Sequence, residues 1–222
     1  TTILTKIMTA ALFVGEMNLR ALAILKIFQL SLQKGVSDMT PPAIAAYGAI
    51  ESKLGNTESA SRYGMLALNL MNKLYAAKTA CLTTIISVSY AMHWKLSLPD
   101  SVEHLRKAFR IGIAQGDMDS ATKAAVLYII ASFHCGKNLQ TLDKECQILC
   151  ESMQSYKQAH SLDILQQFWW AITSLMGSPD HENQPLLWQS DATNKATIAA
   201  RDRSQQNIVV LFSWLSKLVT AF

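Results

Sequence analysis

Apolar residues recur at steps of three and four along almost the whole chain, and this periodicity admits one kind of local structure. Leu139, Leu142, Cys146, Leu149, Cys150 and Met153 fall on one helical stripe, and Val102, Leu105, Phe109 and Ile113 on another. Leu162, Leu165, Trp169, Ile172 and Met176 make a third, and Ile208, Leu211, Leu215, Leu218 and Phe222 a fourth. No convincing alternating segment is bounded by turn signals, so strands are not expected. The pattern predicts an all-α fold. With half of 222 residues apolar, the chain carries enough greasy surface for a sizeable core. Only 16% of its residues are charged, against about 25% in an average soluble domain, which excludes disorder and charged tails.

Punctuation cuts the stripes into elements. Gly35 and then Pro41-Pro42 close one helix and open the next, because proline suits a first helical turn. Gly55-Asn56-Thr57 reads as a helix-ending glycine followed by an N-cap, and Gly116-Asp117 and Gly136-Lys137-Asn138 repeat that order. Asp100 with Glu103 resembles a capping box placed after Pro99. The predicted helices span about 2–14, 17–34, 41–54, 57–75, 77–96, 100–115, 118–135, 138–154, 158–176 and 192–221. One long irregular stretch, Gly177 to Ser190, holds Pro179 and Pro185. Residues 1–176 are therefore read as a helical array, 177–190 as a loop, and 191–222 as a terminal helix that continues or caps the array.

Helices of similar length joined by short turns point to a repeat. Residues 41–74 fit a tetratricopeptide-like pair: Tyr47-Gly48 sits where that motif has Leu-Gly, and Gly55 sits at the inter-helix turn. Ala60 and Ala67 take the two small positions of close helix approach, with Tyr63 near the aromatic one. Ile44, Glu51 and Gly64 depart from the motif's Trp, Tyr and Phe. Ser101 and Ala108 keep the spacing of Ala60 and Ala67, and Gly136 repeats Gly55 two units on. The implied unit is about forty residues, longer than the about 34 of a standard tetratricopeptide repeat. The expected architecture is antiparallel helical hairpins stacked as a degenerate, tetratricopeptide-like superhelix.

Twenty Lys and Arg against sixteen Asp and Glu give a net charge of +4 without a long basic run, so no nucleic-acid partner is expected. The longest greasy stretch, Thr9 to Leu30, carries Glu16, Arg20 and Lys26, so no membrane span is expected. Four cysteines at unframed spacings argue against a disulfide scaffold, and no Asn-x-Ser/Thr sequon occurs. No signal peptide is readable, and the chain begins on Thr, as a piece of a longer chain would; a cytoplasmic site is expected.

The residues able to carry chemistry read as structural ones. His134-Cys135 with Cys146 and Cys150 offers four zinc-ligand types, but adjacent residues diverge by about 100° on a helix, and Cys146 and Cys150 belong to an apolar stripe. His93, His104, His134, His160 and His181 lack the spacing of a catalytic arrangement, and His93 beside Trp94 reads as a helix-end residue. Asp117 and Asp119 suit the start of a helix better than a calcium loop. Phe168-Trp169-Trp170 points three rings in different directions, so core packing and contact with a neighbour are both open. No phosphate-cradling, dinucleotide-binding, nucleophile-elbow or zinc-protease motif occurs, so no catalytic, cofactor or metal residue is assigned.

Tyr47-Gly48, Gly55-Asn56, the run Ala60-Ser61-Arg62-Tyr63-Gly64-Met65-Leu66-Ala67-Leu68, and His93-Trp94 carry a family resemblance. From about residue 10 to residue 176 the chain resembles the helical central region of large signalling proteins. Those proteins combine a protein-kinase-like domain, an AAA/STAND-type ATPase, this region, a GAF domain, and a histidine kinase or nucleotide cyclase. The resemblance implies a non-catalytic scaffold or linker for signal transduction, whose partners are flanking domains of the same chain or other proteins, with no cofactor of its own. The alternative reading is an all-α enzyme whose site no motif reveals. The greasy runs Ile7–Val14 and Ile208–Phe222 add the expectation that the isolated piece self-associates.

Overall fold

The computed structural model describes residues 3, 4, 7 and 17–177. The helix expected over 2–14 lies almost wholly outside these residues, as do the loop beyond Gly177, the helix over 192–221 and His181. Among the described residues every regular element is helical, as the periodicity requires. The helices are α1 (Met17–Lys34), α2 (Thr40–Lys53), α3 (Thr57–Lys73), α4 (Ala77–Ile86), α5 (Leu98–Gln115), α6 (Met118–His134), α7 (Leu139–Ser155) and α8 (Ala159–Leu175). Within each unit neighbouring helices pack in pairs, α2 on α3 and α4 on α5 in the first and α7 on α8 in the second. The chain divides into two compact units, one running through Ala131 and one from Ser132.

The turns share one chemistry. At the end of α2, Gly55 takes φ 87°; its N–H donates to the Ser52 carbonyl at 3.1 Å, and the Asn56 N–H reaches the Glu51 carbonyl at 2.9 Å. This double bond pattern satisfies carbonyls that a helix end would otherwise leave orphaned, and it requires a left-handed residue between them. Tyr75, Gly116, Gly136 and Lys157 repeat it after α3, α5, α6 and α7, with φ of 50°, 72°, 74° and 55°. Gly35 and Gly177 take the same conformation after α1 and α8. From Gly35 to Gly177 these residues follow one another about twenty positions apart, except across α4 and α5, where the interval doubles.

A buried register runs in step with the turns in the first unit. Thr40, Ala60, Ala80, Ser101 and Ala121 are all buried, each near the start of its helix. One turn on come Ile44, Gly64, Thr84, Leu105 and Ala125, again all buried. A further turn brings Tyr47, Ala67, Ser87, Ala108 and Tyr128, of which the middle three are buried and the tyrosines half-buried. Steps of four and three keep such a stripe on one face, and small side chains let helix axes approach. The forty-residue unit expected from sequence is therefore two copies of a twenty-residue unit. Ala60 and Ala67 are fully enclosed, and at Gly48 a Cβ would lie 3.0 Å from the Ala60 carbonyl oxygen and 3.1 Å from Ala91 Cβ. Around that contact, Tyr47 stacks on Phe28 at 5.6 Å and meets Tyr63 edge-on at 4.8 Å.

The doubled interval has a local cause. The helix expected to run to residue 96 leaves α-geometry after Ile86 and continues as a π-turn over Ser87–Ala91, closed by the Met92 N–H on the Ser87 carbonyl at 2.8 Å. In α4, Thr83 and Thr84 return their hydroxyls to the carbonyls of Thr79 and Ala80 at 2.7 and 2.8 Å, a bonding mode that loosens a helix. The extra residue brings Met92 over Gly64, where it is buried. The start of α5 also differs from expectation. Ser97, not Asp100, is the N-cap: its Oγ accepts from the Asp100 N–H at 3.3 Å and donates to the Asp100 carboxylate at 2.5 Å. Pro99 sits inside the first turn, where its missing N–H costs nothing, so the cap falls one residue before the helix rather than after the proline.

In the second unit, Leu142, Cys146, Cys150 and Met153 of α7 are buried, as are Ile164, Leu165, Phe168, Ala171 and Ile172 of α8. Asn138 caps α7 by accepting from the Thr141 N–H at 3.2 Å. Lys137 grips Glu145 with both carboxylate oxygens within 2.8 Å, tying the turn to the second coil of α7.

Candidate interaction surface

The structure separates the residues that sequence offered as zinc ligands. Cys146 and Cys150 are buried and their thiols are free, whereas Cys135 is exposed and His134 lies on the surface against the Phe133 ring. Burial drives the Cys146 thiol far above its ordinary pKa and pushes Cys150 up to about 12, with nearby acidic charge adding to both. Cys81 is likewise pushed up to about 12 by burial and by the Asp117 charge. Protonated thiols enclosed by apolar side chains are inert packing groups at neutral pH. Among the described residues no three His, Cys, Asp or Glu side chains converge as a metal site would require.

The remaining candidates take local roles. His93 lies at a helix end, its Nδ1 3.1 Å from the Tyr90 carbonyl, and its ring leans on Trp94 at 4.9 Å. Asp117 accepts from the Ser120 N–H at 3.2 Å, and Asp119 pairs with Lys123 at 2.7 Å, both at the start of α6. Of the three adjacent aromatics, Phe168 enters the core, while Trp169 is half-buried and donates its indole N–H to Asp143 Oδ1 at 2.7 Å. Trp170 is half-buried as well.

What the residue-by-residue reading missed is a surface. Helix α1 buries Ala23, Ile24, Ile27 and Ser31 on one side. Its opposite side presents Leu22 at 64%, Leu25 at 47% and Leu32 at 75% exposure, and Val36 just past the helix at 54%. A helix apolar on both sides normally has both covered. The signal was present in the spacing, because Leu22, Leu25 and Leu32 form a second stripe opposite that of Ile24 and Ile27. Smaller exposed groups lie at the turns, with Tyr75 almost fully exposed and Trp94 at the end of the π-turn. No described helix is long and apolar enough to cross a membrane. No protein-family model, curated protein or solved structure matches the chain.

Proposed function

We propose that this chain is a non-catalytic helical-repeat scaffold or linker that holds protein domains in a defined relation, within a cytoplasmic signal-transduction protein of the ATPase and kinase or cyclase kind. The observation that carries the reading is the twenty-residue register of buried small residues and left-handed turns. A register of this kind makes each helix contact mainly its neighbours in sequence, so a displacement at one helix passes along the stack. Three of the four thiols, those of Cys81, Cys146 and Cys150, are buried packing groups, and Asp117 and Asp119 serve the start of α6. The tetratricopeptide-like features around Gly48, Ala60 and Ala67 favour protein contacts over turnover.

The test replaces residues 17–177 by a flexible linker in the full-length parent chain. Each flanking domain is expected to keep its own activity while control of the output by the ATPase is lost. Retained control, or nucleotide turnover by the isolated repeat region, overturns the reading in favour of an enzyme.

A further inference from the structure

Arg20 is a cation drawn out of water without a countercharge. It stands on the inner side of α1, one turn before Ile24 and two before Ile27, and both isoleucines enter the core. Its Nε is enclosed and meets no hydrogen-bond acceptor, and among the described residues no carboxylate acts on the guanidinium. Neither Met17–Lys34 nor the stretch from Ala77 to Ala91 contains Asp or Glu. Loss of water holds the guanidinium below its ordinary pKa. A charge so placed costs stability unless an anion meets it.

The group that does stand near Arg20 is a phenol. The Arg20 charge acts on the hydroxyl of Tyr90, which lies in the π-turn Ser87–Ala91. Tyr90 is 47% exposed, yet the protein crowding its hydroxyl holds the phenol above its ordinary pKa. A side chain that is both wetted and crowded lines a concavity. Arg20 is half-buried, so its outer nitrogens reach the same solvent while its Nε stays enclosed. Single π-turns recur at functional sites, because the extra residue redirects a side chain that a regular helix would place elsewhere.

The donors define the ligand. Arg20 offers a planar fork of N–H groups and Tyr90 one O–H, a set that matches a planar, singly charged group with two acceptor oxygens. Phosphate carries more charge and gathers several cations or backbone N–H groups, whereas among the described residues no second cation acts on Arg20. We infer that Arg20 and Tyr90 bind one carboxylate group, with the guanidinium facing its two oxygens and the phenol donating to one of them. Two sources share this chemistry, a small organic acid and an acidic side chain of a polypeptide. The site stands independently of the scaffold reading.

The test follows the Arg20 Nε–H signal by heteronuclear NMR in the whole chain while acetate, phosphate or chloride is added at constant ionic strength. Acetate is expected to move the signal saturably with a Kd of about 1–10 mM, phosphate more weakly, and chloride not at all. Arg20→Lys keeps the charge without the fork and should weaken acetate binding about tenfold; Tyr90→Phe should weaken it about threefold or more. Arg20→Met keeps most of the stem's packing, so the thermal midpoint without acetate should hold or rise and should no longer respond to acetate. N-acetylglutamic acid amide separates the sources: binding at least as tight as acetate assigns a polypeptide side chain, and weaker binding assigns a small acid. No saturable shift up to about 0.1 M acetate, or tighter binding of phosphate, overturns the inference. So does a fall in the midpoint of Arg20→Met, which makes Arg20 a structural residue. Glu16 lies four residues before Arg20 in the sequence. If Glu16→Gln lowers the midpoint in the wild-type background but not beside Arg20→Met, Glu16 is the countercharge and the inference fails.

Discussion

Met92 occupies a notch that exists because residue 64 is glycine. A Cβ at Gly64 would lie 2.5 Å from Met92 Cγ and 2.9 Å from its sulfur, with Ala91 Cβ only 3.2 Å away. The π-turn before Met92 is what delivers the side chain there, so the notch and the helix defect are two halves of one contact. Gly64→Ala should therefore destabilise the protein by about 1–3 kcal/mol, even though alanine is the better helix former. Combined with Met92→Ala, the loss should fall short of the sum of the two single losses by about 1 kcal/mol or more. Urea unfolding of the two single variants and the double variant checks this, and strict additivity would refute the contact.

The left-handed turns give a pair of opposite predictions. Gly55 needs its φ of 87°, and an L side chain there is strained whatever the open space around it; Gly55→Ala should cost about 1 kcal/mol. Tyr75 adopts φ 50° with its ring almost fully exposed, so it bears the same strain with little packing in return. Tyr75→Gly should stabilise the protein by about 0.5–1 kcal/mol. Thermal melts that rise for Tyr75→Gly and fall for Gly55→Ala support the shared turn.

Thiol reactivity should split one against three. The sequence holds four cysteines, of which only Cys135 is exposed. A disulfide reagent at neutral pH should modify one thiol quickly and three only on unfolding, and Cys135→Ser should remove the fast phase. The buried thiols also predict an alkaline weakness. Their native pKa values are raised, to about 12 for Cys81 and Cys150, so above the ordinary thiol value the unfolded chain binds fewer protons than the native one. Stability is then full below about pH 8.5 and declines as pH rises toward 12. Denaturant midpoints measured across that range check the sign, and Cys150→Ala should flatten the decline.

Trp169 and Asp143 join α8 to α7 through one bond of 2.7 Å. Hydrogen bonds to a charged acceptor contribute about 1.5–3 kcal/mol, so Trp169→Phe should lose roughly that amount. Asp143→Asn keeps an acceptor and should lose less. Equal losses for the two variants would mean that ring packing, not the bond, is what Trp169 supplies.

Much of the helical layout was legible because turn chemistry is local. A glycine that ends one helix and a polar residue that begins the next lie within a few positions of each other, and the ends of α2, α5 and α6 fall where those residues stand. Local reading failed where the outcome depended on neighbours. Tyr75 and Lys157 hold left-handed turns without being glycine, so only their place in the twenty-residue register reveals them. Ser97 caps α5 from ahead of Pro99, and the sequence around Asp100 offered an equally plausible box one turn later. Thr83 and Thr84 mark a helix that can loosen, but that the turn takes π-geometry and seats Met92 over Gly64 is settled by the helix that carries Gly64.

By itself the sequence determined the class of the fold, the approximate limits of the described helices other than the one that begins at Ala77, and the small residues Gly48, Ala60 and Ala67 at which helices approach. Periodicity and turn propensity are properties of neighbouring residues, and they survive without knowledge of the rest of the chain. Only the tertiary structure decided which apolar stripe of α1 is core and which is surface. Ile24 with Ile27 and Leu22 with Leu25 are equally apolar and equally spaced, so burial of one pair and exposure of the other depends on which side meets α2. The cysteines are the contrary case: Cys146 and Cys150 stand on an apolar stripe of the sequence and Cys135 beside the helix-ending Gly136, and their burial and exposure follow that local character. On α1 burial is instead a relation between segments distant in sequence, and the packing of helix on helix settles it.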